Sequence, residues 1–116
     1  MFIILKLTAN HPLGSVVNFN ESEQKWGLAS SVTTPLGIVE SVDHDEETDI
    51  FWGRVVFCGV TYAIADRAIP DQGGELAVLN GKVYVDNTTD QAGIIAPLPR
   101  NQESRIADEL VMVHIR

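Results

Sequence analysis

The sequence predicts an all-β fold, a small single-domain β-barrel or sandwich of short antiparallel strands with at most one or two helical turns. Three observations predict it. Short apolar or alternating segments recur along the 116 residues with turn signals between them, and no stretch keeps a helical hydrophobic period for three turns. Residues 73–87, GGELAVLNGKVYVDN, read as a nearly complete hairpin. A hydrophobic content of 45% is enough to offset chain entropy, so one compact domain over 1–116 is expected.

Taken in order, residues 2–8 are apolar except for Lys6 and Thr8. They lack a basic leader and are too short for a signal core or a membrane span, so they read as a first strand of a protein made inside the cell. Asn10-His11-Pro12 is a turn, and strands over 15–19 and 25–29 follow. After Thr34-Pro35 come a strand over 36–42 and a long one over 50–60, with an acidic loop between them. Residues 63–69 hold at most one helical turn, which Pro70 ends. The turn Pro70-Asp71-Gln72-Gly73-Gly74 leads into strands over 75–79 and 82–86. Asn80-Gly81 joins them as a type I′ turn, because these two residues best tolerate positive φ at both centres. Asn87-Thr88-Thr89-Asp90 is the next turn, and 93–97 a short strand. The better helix candidate is 101–109, capped by Asn101 with Ile106 and Leu110 toward the core, before a last alternating strand over 110–115. The first and last strands are apolar enough to require pairing, with each other or with a neighbouring protomer.

Sixteen acidic residues against eight Lys plus Arg give a formal charge of −8, and the first 49 residues hold eight of the acids but only Lys6 and Lys25. That balance disfavours a nucleic-acid partner, since phosphate backbones are repelled. Cys58 is the one cysteine, so no intrachain disulfide forms, and its apolar neighbours read it as a small buried hydrophobe. The run Asp43-His44-Asp45-Glu46-Glu47-Thr48-Asp49 invites a calcium reading, but an EF-hand needs Gly at position six and Glu at twelve, where this chain has Thr48 and Arg54. It reads instead as a solvated loop. His11, His44 and His114 lack the spacing of a zinc site. Gly81-Lys82 resembles the end of a phosphate loop, yet Leu76 and Val83 stand where Gly and Ser or Thr are required. No catalytic, cofactor-binding or metal-binding residue is named on these grounds. Phe51 and Trp52 are adjacent on a strand and must point to opposite faces, so one is expected in the core and the other against a partner. With Asp45 and Glu46 beside them, they form the candidate partner interface.

From Pro35 onward the segments PLGIVESVD, FWGRVVFCGVTY, AIADRAIPDQGGELAVLNGKVYV, AGIIAPL and LVMVHIR follow one another. Their order resembles the small capsid decoration, or cement, proteins of tailed bacteriophages. The resemblance implies a decoration-like β module over 35–116, with 1–34 as N-terminal strands or an arm. It further implies a non-enzymatic virion structural protein, made in the host cytoplasm. Such a protein sits as a homotrimer on the capsid exterior, where it binds the major capsid protein and stabilises the shell. That family has no catalytic residues to transfer. Two alternatives remain: a tail fibre, baseplate or connector module of a phage, and a small enzyme or ligand-binding barrel whose pocket would gather Asp43, His44 or Cys58 beside a second ionisable group.

Overall fold

The computed structural model describes residues 2–30, 36–68, 76–86, 94–95 and 108–115, and these carry strands and no helix. β1 (Phe2–Leu7), β2 (Val16–Asn20), β3 (Lys25–Leu28), β4 (Gly37–Asp45) and β5 (Ile50–Val56) close into a five-stranded barrel in the order β1-β3-β2-β4-β5. The chain then builds a second layer from β6 (Gly59–Ile64), β7 (Leu76–Leu79), β8 (Lys82–Val85), β9 (Ile94–Ile95) and β10 (Leu110–Ile115). Here β6-β10-β9 form one sheet and β7-β8 a hairpin. The pairings are antiparallel except β1 with β3, which run parallel and meet at the single register pair Leu7↔Trp26. The barrel therefore closes at one narrow seam, and most of β1 is paired on one side among the described residues.

Where the barrel meets the second layer, β2, β4 and β5 are buried on both faces, which explains the apolar pairs Val16-Val17, Ile38-Val39 and Val55-Val56, whereas Phe2, Ile3 and Ile4 of β1 are exposed. Val17, Val39 and Val55 point inward with Leu7, while Val16, Ile38 and Val56 point outward into the second layer. There they meet Ala63, Leu76, Val83, Val111, Val113 and Ile115 in the larger of the two cores. Glycine sets the inner spacing at two places. A Cβ on Gly53 would lie 2.7 Å from the Leu7 side chain, and one on Gly37 would clash with Val55 Cγ1 at 2.2 Å.

Several expectations change. The long strand over 50–60 is two strands, because Gly59 takes a φ of +97° and turns the chain from the barrel into the second sheet. Cys58 sits at that corner and is exposed, not buried. No helical turn forms at 63–68: Ala65 N–H donates to Glu109 O at 2.9 Å and holds the chain extended as a bridge to Val83. The acidic run is not all loop, since β4 continues through Asp45. The first and last strands do not pair with each other, β1 lying between β5 and β3 and β10 between β6 and β9. Leu110 faces outward rather than toward the core. The helix candidate falls mainly on 101–107, outside the described residues.

Asn80 and Gly81 do take positive φ, 48° and 79°, as a type I′ turn requires. The turn is not a free tip, however. Gly81 N–H donates to Ala29 O at 2.7 Å, and Gly81 O accepts from Val16 N–H at 2.8 Å, so the hairpin plugs into the barrel beside β2 and β3.

Candidate interaction surface

The β4–β5 hairpin carries the residues singled out in the sequence. Asp45 pairs with Ile50 and residues 46–49 make the turn, with Asp49 at a φ of 55°. The Asp45 carboxylate is held below the ordinary aspartate value, first by the Thr48 side chain and then by backbone N–H groups, one of them Glu47 N–H at 3.1 Å. His44 Nε2 lies 2.8 Å from Asp49 Oδ1, and its ring stacks on Phe51 with centroids 4.4 Å apart. Phe51 packs against the inner barrel cluster, while Trp52 lies on the outer face between its cross-strand neighbours Lys6 and Asp43. The two rings do point to opposite faces, yet both are only half-buried. Lys6 Nζ lies 5.6 Å from the Trp52 ring centre, a cation–π contact on an open surface.

The three histidines stay apart. His11 shares a 2.7 Å hydrogen bond with the Thr8 hydroxyl, and partial burial holds its pKa down. His114 is exposed on the outer face of β10. Among the described residues no three His, Cys, Asp or Glu side chains gather as metal ligands would.

A second feature was not anticipated. On the sheet of β6 and β10, Thr61 and Ala63 with Val111, Val113 and Ile115 are buried, whereas Val60 (61% exposed), Tyr62 (52%) and Leu110 (48%) face out beside Met112 and His114; Ile64, opposite Leu110 on the same outward side, is buried next to Gly14. The outer face is as apolar as many inner ones. It runs into an open cleft of about 440 Å³ between β4 and β6, with Leu13, Tyr62 and Leu110 as apolar walls and Glu40, Arg54 and Thr61 as polar ones. Glu40 is the extra residue of a bulge between the pairs Val39↔Val55 and Ser41↔Arg54. It lies 3.4 Å from Arg54 Nε, and the Arg54 guanidinium stacks 3.5 Å from the centre of the Phe2 ring.

At one end of this cleft Gly14 joins the two layers by its main chain alone. Its N–H donates to Val39 O of β4 at 2.8 Å, and its carbonyl accepts from Ile64 N–H of β6 at 3.0 Å. Sequence reasoning missed the cleft because its walls lie about fifty positions apart in the chain. The available signal was apolar residues at both parities of the last strand, Leu110 and Met112 as well as Val111 and Val113, which implies two covered or contacting faces. No family model, curated protein or solved structure matches the chain.

Proposed function

We propose that the chain is a docking module without catalytic activity, and specifically a virion structural protein of the capsid decoration class. It would bind the major capsid protein on the outside of the shell and stabilise it by mass action, since a ligand of the assembled shell shifts the equilibrium toward assembly. The observation that carries the reading is the outward face of β6 and β10, where Val60, Tyr62 and Leu110 leave apolar surface in water. Contiguous exposed apolar area of this kind marks protein contacts in folded domains. The order of segments from Pro35 onward supports the choice of a phage capsid as the partner. Trp52 with Phe51, Asp45 and Glu46 would form a second contact area, the ring as anchor and the carboxylates steering a basic surface. Trimer formation would use β1, whose Phe2, Ile3 and Ile4 are exposed and pair with β5 alone among the described residues.

The test is direct. Purified protein added to expanded capsids that lack it should co-sediment with them and raise the temperature at which they rupture. Failure to bind, together with unchanged heat resistance of capsids lacking the protein, removes the capsid reading.

A further inference from the structure

We propose that the cleft between β4 and β6 is an acceptor slot for one extended segment of another protein, which pairs by its main chain with the two strand edges and carries a Lys or Arg toward the β4–β5 tip. One residue already spans the gap. Gly14 bonds to Val39 on one side and to Ile64 on the other, but as a turn residue at a φ of +89°, so it closes one end of the slot without filling it as a strand. Beyond that residue both edges continue. Among the described residues, β4 past Val39 pairs with β5 alone, and β6 from Gly59 to Ala63 pairs with β10 alone. Two strand edges flanking an open cleft offer donors and acceptors to a peptide backbone, which is how added strands gain affinity.

The side chains fix the chemistry of the occupant. Leu13, Tyr62 and Leu110 call for an apolar residue between them. Thr61 lines the same cleft at 6% residue exposure, and no described residue hydrogen-bonds its hydroxyl, so a polar group of the occupant would find a partner there. A strand continuing along β4 passes Asp43 and Asp45 on its way to the tip, where Glu46, Glu47 and Asp49 follow. A cation at that end of the segment meets its complement there. A second copy of this chain fits poorly, because it brings another −8 toward the same tip, and each of its described strands is already paired on at least one side. The inference rests on the docking reading above, but not on the partner being a capsid.

The probe is a short capped peptide of alternating valine and threonine ending in arginine, titrated into isotopically labelled full-length protein. Amides of β4 beyond Val39 and of β6 between Gly59 and Ala63 should shift and exchange more slowly. A peptide N-methylated at alternate positions should lose binding, and one ending in glutamate should bind more weakly. Ser41→Phe, which fills the slot from an exposed position, should weaken binding by about tenfold or more. Should that variant lose its dispersed spectrum, Leu13→Asp supplies the same readout from an exposed loop position. Absence of shifts at these amides, equal binding of the N-methylated peptide, or the same shifts produced by protein concentration alone overturns the slot. Peptide pairing without capsid binding would overturn the virion reading instead, and capsid binding undiminished by both variants would leave that reading standing without the slot.

Discussion

At the scale of single residues, the outer Trp52 and the inner-layer Ile38 make a controlled comparison. Ile38 is fully buried between barrel and second layer, so Ile38→Ala should cost about 2–5 kcal/mol through lost burial and the cavity left behind. Trp52 is half-buried on an open face, and Trp52→Ala should cost only about 1 kcal/mol, mainly its lost packing and the Lys6 contact. Urea denaturation of both variants checks the order. If Trp52 is also a binding anchor, capsid attachment falls by more than about 1 kcal/mol beyond that folding loss, whereas Asp45→Asn with Glu46→Gln changes chiefly the salt dependence. Asp45 gives a pH prediction as well. Its folded pKa is depressed, so its contribution to the turn is complete above the ordinary aspartate value and is lost as pH falls through the folded value. An NMR titration should place its midpoint below that of the denatured chain, and Thr48→Val, which removes the largest cause, should move it back up.

At the scale of elements, the hairpin of β7 and β8 shows both the reach and the limit of local sequence. The dipeptide Asn80-Gly81 fixes turn type and register by itself, because few other residues take φ of 48° and 79° in succession. Nothing local to it says that the turn is wedged against Ala29 and Val16. Gly81→Ala should therefore be doubly unfavourable: φ is +79°, and the added Cβ would lie 2.5 Å from Leu28 Cδ2. A loss above about 1 kcal/mol is expected, read as a lower melting temperature, while Asn80→Gly should be tolerated. The β4–β5 hairpin shows the opposite limit. Charge density alone makes 43–49 a loop, but Asp43, His44 and Asp45 find cross-strand partners in Trp52, Phe51 and Ile50, and pairing prevails over the preference of charged residues for loops. The break at Gly59 was readable as a glycine between two β-rich runs, yet a glycine inside a strand also marks a bulge, and only the departure of the chain into a second sheet decides between them.

At the scale of the whole molecule, the class was legible because strand periodicity is local, whereas closure of the barrel, the sharing of two cores and the cleft between Leu13, Tyr62 and Leu110 depend on residues far apart in the chain. Assembly is a prediction at this scale: light scattering should report three protomers, and Ile4→Asp, at a position 53% exposed on β1, should return the protein to a folded monomer. A strict monomer at high concentration would remove the trimer from the proposal. The two-sided burial of β2, β4 and β5 has a kinetic consequence. Val16 and Val17, Ile38 and Val39, and Val55 and Val56 are near-equivalent neighbours, so a strand slipped by one residue would still put aliphatic side chains on both faces. Hydrophobic alternation thus carries little information about alignment here. Size does carry it, since Gly37 must meet Val55, and Gly53 must meet Leu7, and neither site has room for a methyl group. These two glycines act as alignment marks during collapse. Gly53→Ala should therefore do more than lower stability: it should add a slow refolding phase in stopped-flow fluorescence, as misaligned barrels separate and pair again.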